Sequence, residues 1–328
     1  MTAAAAERSS AGLELPALGY GAAALGNLYR AIGDDDARAV VDAAWSVGIR
    51  HFDVAPHYGL GLAERRLGAA LAARPRGEYL LSTKVGRLLE PSPETADQLD
   101  DGFVVPADLR RVWDASEDGL RRSLAASCER LGVERVDIAY LHDPEENVPA
   151  GGSLDAVLAE ALSALARLRA EGVVDAVGVG SKSTDALLAA VRTGLVDLVM
   201  LAGRYTLLEQ PAAAELLPAC LERGVRVVAV GVYNSGALSE EVPRPDLPYE
   251  YGAMPAEVHE RIVRLAELCT RHGTTLPTAA LQFPLRHPAV ASVVIGAQSA
   301  AQIRQNAARY AEAVPEAFWA DLPGDLPG

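Results

Sequence analysis

Short apolar runs alternate with longer amphipathic runs along the whole chain. The short runs lack polar alternation, which is typical of parallel strands that are covered on both faces. They predict eight β-strands, at 18–21, 50–54, 79–84, 135–141, 173–180, 196–201, 225–230 and 290–295.

The longer runs between these strands have the periodicity of amphipathic helices. They predict helices at 34–47, 62–72, 116–131, 154–170, 183–192, 211–223, 256–272, 277–286 and 299–312. The alternation makes eight βα units without a change in composition along the chain. We therefore expect an α/β fold, a closed (β/α)8 (TIM) barrel rather than an open doubly wound sheet.

Two long stretches interrupt this alternation, at 86–112 and 233–255, after the third and seventh strands. The first is broken repeatedly by Pro, Asp and Gly, and the second is rich in Pro, Gly and Tyr, so we expect both to be irregular. Loops after barrel strands surround the mouth of the barrel. These two stretches are the expected lids and specificity walls.

Length and composition narrow the picture further. The chain has 328 residues, which fits one barrel domain at 13–328 after a short Ala/Ser-rich lead-in at 1–12 that we expect to be flexible.

The net charge of −14 argues against binding to nucleic acid or to an anionic membrane surface. No apolar run is long enough to span a membrane. Three scattered cysteines predict free thiols in a reducing cytoplasm.

Candidate chemistry appears where predicted strands end. Asp53 ends the second strand, Lys84 the third and His142 the fourth, and Tyr58 lies in the loop after the second strand. The carboxyl ends of barrel strands share one rim, so these four side chains should meet there. A nearby cation favours a phenolate, so we expect Lys84, held by Asp53, to lower the pKa of Tyr58 and make it a proton donor and acceptor. His142 would then orient the substrate oxygen or share the proton.

Two other kinds of site are less compatible with these residues. His51, His57 and His142 match no usual zinc spacing, so we expect no metal. Lys84 as a Schiff-base nucleophile remains an alternative, because barrels use strand-end lysines in that role.

The four residues, in this order and with the run Asp53-Val54-Ala55-Pro56-His57-Tyr58-Gly59, resemble the aldo-keto reductase family. The resemblance covers about residues 13–312. It implies that Asp53, Tyr58, Lys84 and His142 are the catalytic tetrad and that a nicotinamide nucleotide exchanges hydride with the substrate. The runs around 142–144, 202–208 and 233–236 are most similar to the family's branch of D-threo-aldose 1-dehydrogenases (L-fucose dehydrogenases) and pyridoxal 4-dehydrogenases.

The resemblance also implies where the nucleotide binds. Ser181 matches a residue that contacts the nicotinamide carboxamide, Lys182 replaces the family's asparagine beside it, and Tyr205 would stack on the nicotinamide ring. The other expected contacts lie at the ends of the first, seventh and eighth strands and are Gly21, Gly231, Tyr233, Asn234, Ser235, Gly236, Gly296, Gln298, Gln302 and Asn306.

Cofactor preference follows from two of these positions. NADP-preferring relatives place Arg or Lys at the position of Gln298 and often at that of Gln302, and both are neutral here. Each lost charge-assisted contact to a 2′-phosphate costs about 1.5–3 kcal/mol. We therefore predict NAD rather than NADP, with Arg304 as the residue that would reverse this prediction by binding the phosphate.

The resemblance implies an oxidoreductase that acts on a small sugar or aldehyde. The expected reaction is NAD-dependent oxidation of an aldose at C1 to the lactone. An NAD(P)H-dependent aldehyde or ketone reductase and a pyridoxal 4-dehydrogenase remain open, because the same tetrad serves all three. A nucleotide-binding regulatory subunit is the non-enzymatic alternative. The sequence leaves the oligomeric state open.

Overall fold

The computed structural model describes residues 13–100, 102–250 and 252–322. The segment 1–12, which we expected to be flexible, lies outside these residues, so its separation from a domain at 13–328 stays a prediction.

Eight parallel strands close into the predicted barrel, and two further strands pair with each other outside it. The strands are β1 (Leu18–Gly21), β2 (His51–Asp53), β3 (Leu80–Val85), β4 (Arg87–Pro91), β5 (Leu109–Trp113), β6 (Ile138–His142), β7 (Ala176–Ser181), β8 (Leu198–Ala202), β9 (Arg226–Val230) and β10 (Val290–Gly296). Their order around the closed sheet is β1-β10-β9-β8-β7-β6-β3-β2, and β4 and β5 form the separate pair. The predicted fold class is therefore confirmed, with long loops after the third and seventh barrel strands.

Helices cover the outside of the barrel. In the described part of the chain they are α1 (Asp34–Ser46), α2 (Leu62–Leu71), α3 (Glu117–Leu131), α4 (Leu154–Ala170), α5 (Thr184–Arg192), α6 (Leu216–Arg223), α7 (Ala256–Arg271), α8 (Leu276–Gln282), α9 (Ala300–Ala311) and α10 (Glu316–Ala320). Side-chain caps start several of them: Ser116, Ser183 and Ser299 each accept a hydrogen bond from a backbone N–H of the first turn. None of the described helices is long and apolar enough to cross a membrane.

Alternation along each strand separates two buried layers. The layer between barrel and helices is the larger and contains Phe52, Leu81 and Leu141. A smaller apolar cluster of Ile138, Tyr140, Ala176, Leu198, Met200, Val228 and Val294 contains residues from the opposite faces of these strands. Since Asp53 pairs in register with Ser82, and Lys84 with Tyr140, the inner face also carries a group of polar side chains.

Three local predictions were wrong, and one helix was missed. The stretch 86–112 is not irregular throughout, because its ends form the antiparallel pair β4 and β5. The sixth helix starts at 216 instead of 211, since Pro211–Ala213 forms a 3-10 turn. The helix predicted at 277–286 ends at 282, where another 3-10 turn, Phe283–Arg286, contains Pro284 and continues the chain. The short helix α10 was not predicted.

Candidate active site

Asp53 and Lys84 form a buried ion pair at the carboxyl ends of β2 and β3. Lys84 Nζ donates to Asp53 Oδ2 at 2.6 Å and to the Val54 carbonyl oxygen at 3.1 Å, and both charged side chains are almost fully buried. Burial alone would lower the pKa of Lys84, but the charges of Asp53 and Tyr58 outweigh it and raise that pKa. Lys84 therefore carries its proton across the physiological range.

Tyr58 lies in the loop after β2, above this pair. Lys84 Nζ lies 4.7 Å from the centroid of the Tyr58 ring. The loop passes close to the segment after β1: a Cβ on Gly59 would lie 2.3 Å from the Gly26 carbonyl oxygen, and Gly59 has a φ of 60°. Only glycine fits this crossing, which places the phenol beside Lys84.

The pKa of Tyr58 departs from the sequence-based expectation. Burial raises the pKa of Tyr58, Lys84 acts to lower it, and Asp53 and Asp143 raise it further. Lys84 thus lowers this pKa as predicted, but burial outweighs its effect and the net direction is upward. The charge of Lys84 instead opposes a larger desolvation cost of the phenolate.

His142 completes the group at the end of β6. Its ring lies 6.2 Å from the Tyr58 ring and 5.6 Å from the His57 ring, measured between centroids. Burial, together with the charges of Lys84 and Arg87, lowers the pKa of His142 well below its ordinary value. His142 is therefore neutral near pH 7. Its Nε2 lies 3.3 Å from Asp143 Oδ2.

A second set of residues around His142 was not predicted. Arg87, on β4, donates to Asp143 Oδ2 at 2.7 Å and to Glu146 Oε2 at 3.0 Å, and its Nη1 lies 3.5 Å from His57 Nδ1. Asp143 has a left-handed backbone with φ 44°. Burial raises the pKa of Asp143 to about 7, against the effect of Arg87. The first insertion thus contributes a cation to the mouth of the barrel.

A cavity of about 690 Å³ runs from Asp53 and Tyr58 to helix α9. This volume is in the range of small-molecule and cofactor sites. Eleven of the thirteen residues expected to contact the nucleotide line it, namely Gly21, Lys182, Gly231, Tyr233, Asn234, Ser235, Gly236, Gly296, Gln298, Gln302 and Asn306.

Ser181 and Tyr205 lie outside the cavity lining. The Ser181 hydroxyl donates to Glu145 Oε1 and accepts from the Ser183 N–H. The Tyr205 ring packs instead against Phe283 at 5.1 Å between centroids. Both side chains thus have partners within the protein, and their contacts with the nucleotide stay predictions.

The segment after β9 turns tightly beside the cavity. Four of its residues, Gly231, Asn234, Ser235 and Gly236, have positive φ, and the N–H groups of Asn234 and Gly236 donate to the carbonyl oxygens of Gly231 and Tyr233. The Asn234 side chain is buried, and neither its Nδ2 nor its Oδ1 has a hydrogen-bond partner within the described residues. An unpaired buried amide on the cavity wall fits a bound polar group.

Helix α9 closes the far end of the cavity. Tyr233 donates to Asn306 Oδ1 at 2.9 Å, which joins the loop after β9 to the helix. Gln302 Oε1 accepts from the Gln298 N–H at 2.7 Å, and Gln298 Nε2 donates to the Leu28 carbonyl oxygen at 3.3 Å.

Four charged residues that line the cavity were missed by the sequence analysis: Arg309, Glu240, Glu241 and Glu250. Arg309 lies three residues after Asn306, on the same face of α9, and helical spacing would have revealed it. The three glutamates lie in the second insertion, and their approach to the cavity depends on the path of that loop.

The comparisons with known proteins agree with this geometry. The model of the aldo/keto reductase family matches residues 17–323, so the chain belongs to this family, and it is an oxidoreductase enzyme. It is similar to a D-threo-aldose 1-dehydrogenase of Pseudomonas sp, with 54% identity over 96% of this chain and 95% of the relative. A pyridoxal 4-dehydrogenase of Microbacterium luteolum is 39% identical over 95% of this chain and 94% of the relative.

Solved structures support the same assignment. A holo-form aldo-keto reductase of Bacillus halodurans superimposes with a TM-score of 0.72 at 26% identity, over 94% of this chain and 90% of that one. The family resemblance predicted from the sequence is confirmed. Members of the family use NAD(P)(H).

Proposed function

We propose that this enzyme oxidises an aldose at C1 to the corresponding lactone with NAD as the hydride acceptor. The observation that carries the proposal is the buried Asp53–Lys84 pair beside Tyr58, at the end of a cavity that extends to helix α9. The similarity to a D-threo-aldose 1-dehydrogenase supports the choice of substrate class.

The proton chemistry is assigned to residues of the chain. The phenolate form of Tyr58 accepts the proton of the C1 hydroxyl, and the ammonium group of Lys84 stabilises that phenolate. Asp53 keeps Lys84 charged and in place through the 2.6 Å contact. Neutral His142 orients the substrate oxygen by a hydrogen bond. The bound nicotinamide ring supplies the acceptor for the hydride that leaves C1.

The charges at the mouth favour a neutral, polyhydroxylated substrate. Arg87 is paired with Asp143 and Glu146, Arg111 with Asp100, and Lys182 with Glu250. A phosphorylated or carboxylated substrate would have to compete with these carboxylates for each cation. A sugar needs only hydrogen-bond donors and acceptors, which the same pairs supply.

The cavity charges support NAD rather than NADP. Gln298 and Gln302 are neutral and already engaged by hydrogen bonds. Glu240 and Glu241 on the lining would repel a 2′-phosphate. Arg304 is not among the lining residues, and Arg309 donates to the Ser239 carbonyl oxygen at 3.2 Å. We also propose that the eleven expected residues that line this cavity contact the nucleotide.

A cytoplasmic location is part of the proposal. The cysteines support it, because Cys128, Cys220 and Cys269 are unpaired and the last two are buried. Oxidation with NAD also suits a compartment in which this nucleotide is mostly oxidised.

The deciding experiment measures initial rates of NAD reduction with L-fucose, D-arabinose, L-galactose and pyridoxal, each repeated with NADP. We expect turnover with at least one sugar and a clear preference for NAD. Turnover of pyridoxal alone would favour the second candidate, which the similarity to a pyridoxal 4-dehydrogenase supports. Inactivity with all four, together with oxidation of NADPH by simple aldehydes, would refute the proposal in favour of a general reductase.

A further inference from the structure

A second polar layer lies next to the Asp53–Lys84 pair inside the barrel. Ser82 is the register partner of Asp53 on the neighbouring strand, and His51 precedes Asp53 by two residues on the same strand. Alternation along β2 therefore places His51 and Asp53 on the same face. Both His51 and Ser82 are fully buried, and the proton chemistry described above uses neither.

The contacts in this layer fix the direction of each hydrogen bond. Ser82 Oγ lies 2.7 Å from Asp53 Oδ1 and 3.3 Å from His51 Nε2. An ionised carboxylate only accepts, so the single hydroxyl hydrogen of Ser82 goes to Asp53. Ser82 must then accept from His51, which requires the neutral tautomer with hydrogen on Nε2. The donors run from His51 to Ser82 to Asp53, and Lys84 donates to the other carboxylate oxygen.

The surroundings of His51 agree with this tautomer. Its Nδ1 is buried and has no hydrogen-bond partner within the described residues, as expected of a bare acceptor nitrogen. Gly19 makes room for the ring, since a Cβ there would lie 3.1 Å from this atom. Burial lowers the pKa of His51 to about 4, with Asp53 acting against this shift and Lys84 adding to it.

We propose that His51 and Ser82 are positioning residues that hold the Asp53 carboxylate in the orientation in which it binds Lys84. Without them Asp53 Oδ1 would lose its side-chain donor, and the carboxylate would be free to rotate. Lys84 would then be held less firmly beside Tyr58. The inference rests on the proposed role of Tyr58 as the proton acceptor, and it assigns no contact with substrate to His51 or Ser82.

The charged and titratable groups around the chain of donors are few. Lys84 and Tyr58 face Asp53 from β3 and from the loop after β2. The charge of Asp53 also acts on Tyr140 of β6. The chain of donors therefore reaches Tyr58 through Asp53 and Lys84.

The first test needs no turnover. The chain contains six histidines, and selective 15N-histidine labelling with comparison to H51Q identifies the His51 resonances. We expect hydrogen on Nε2 and a bare Nδ1 from pH 8 down to pH 5. Hydrogen on Nδ1, or protonation of His51 near pH 6.5, would overturn the proposal.

The second test compares kcat for three variants. H51F keeps a ring of similar size but has no donor, whereas the amide nitrogen of H51Q can reach the position of Nε2. We expect kcat of H51F and S82A to fall about 10-fold and that of H51Q less than about threefold, because small displacements of a catalytic group are costly. KM for the sugar and the dissociation constant for NAD should stay unchanged. The double variant H51F/S82A should be no slower than S82A.

A role in packing alone predicts the reverse order, because Phe fills the apolar space better than Gln. Lower activity of H51Q than of H51F, or multiplicative losses in the double variant, would contradict the proposal. Each variant is also assayed for reduction of methylglyoxal with NADH. If the wild type reduces this aldehyde but oxidises no sugar, the proposed substrate is wrong while the variant ratios still test the chain of donors.

Discussion

Glu250, in the insertion after β9, accepts a hydrogen bond from Lys182 Nζ at 2.9 Å across the cavity. Arg204 binds both oxygens of the same carboxylate, at 3.0 and 3.1 Å. Glu250 has a left-handed backbone with φ 48°. The Glu250 side chain thus connects the insertion after β9 to residues that follow β7 and β8. We expect these contacts to break when the nucleotide exchanges.

The variant E250Q removes the charge and keeps the size of the side chain. Partly exposed ion pairs contribute about 0.2–1 kcal/mol, so we expect NADH to dissociate about 1.4- to fivefold faster. Stopped-flow fluorescence of NADH release measures this rate. The control E316Q breaks the ion pair between Glu316 and Arg286, and neither of these residues lines the cavity. An unchanged dissociation rate in E250Q would show that this contact does not hold the segment closed.

Replacement of Tyr58 by Phe tests the proposed proton acceptor. The phenol ring is retained in shape while the hydroxyl is lost, and positioned acid–base groups contribute about 10²–10⁴-fold to rates. We expect kcat for sugar oxidation to fall by about that factor while NADH binding, followed by fluorescence, is unchanged. Tyr310→Phe on the exposed face of α9 is the matched control. A Y58F enzyme with most of its activity would disprove the assignment.

The raised pKa of Tyr58 gives the reaction a direction-dependent pH profile. Oxidation needs the phenolate, which becomes more abundant as pH rises, whereas reduction needs the neutral phenol. Since burial places the pKa of Tyr58 above its ordinary value of 10.0, kcat for sugar oxidation should increase steadily from pH 7 to pH 10. Methylglyoxal reduction should not fall over this range. A plateau for oxidation that starts near pH 7 would contradict the upward shift.

The cavity charges predict a gain of NADP binding from one substitution. In Q298R a cation replaces the neutral side chain on the lining, and one charge-assisted hydrogen bond is worth about 1.5 kcal/mol, or roughly 10-fold in affinity. Isothermal titration with NADP and NAD measures both changes. A301R adds the same charge to an exposed position of α9 that does not line the cavity. An equal gain in both variants would indicate a general charge effect instead of a specific contact.

The sequence was informative where chemistry lies within a regular element. Polar residues at the ends of apolar runs identified Asp53, Lys84 and His142, because the ends of barrel strands necessarily share one rim. The fold followed from the same alternation of strands and helices. In both cases the barrel fold determines where the residues of a local sequence pattern lie in the structure.

Contacts that depend on the path of a loop were not predictable in this way. Arg87 reaches Asp143 only because the first insertion folds into an antiparallel pair, and Glu250 meets Lys182 only through the course of the second insertion. The packing of Tyr205 against Phe283, which lies far along the chain, was not predictable either. The effect of Lys84 on the pKa of Tyr58 was predicted correctly, but its net direction was not, because charge is visible in a sequence and burial is not.

Buried histidines predict how stability depends on pH. Burial lowers the pKa of His51 to about 4 and that of His57 to about 3, and it lowers the pKa of His142 well below the ordinary value of 6.5. Below pH 6.5 the unfolded chain therefore binds up to three more protons at these residues than the folded chain, and stability falls as pH decreases. Asp143 acts in the opposite sense, since its pKa is raised to about 7 and its folded form holds an extra proton.

These three histidines against one carboxyl leave a net difference of about two protons near pH 5, or about 2.7 kcal/mol per pH unit. Burial also lowers the pKa of His287, which adds to the slope in the same sense. Urea unfolding at intervals from pH 7 to pH 5 measures this slope. Removing one histidine in H57N should make the slope shallower, and removing the opposing carboxyl in D143N should make it steeper, whatever each substitution does to stability at pH 7. Equal slopes in the three proteins would mean that these groups titrate alike in the folded and unfolded chains.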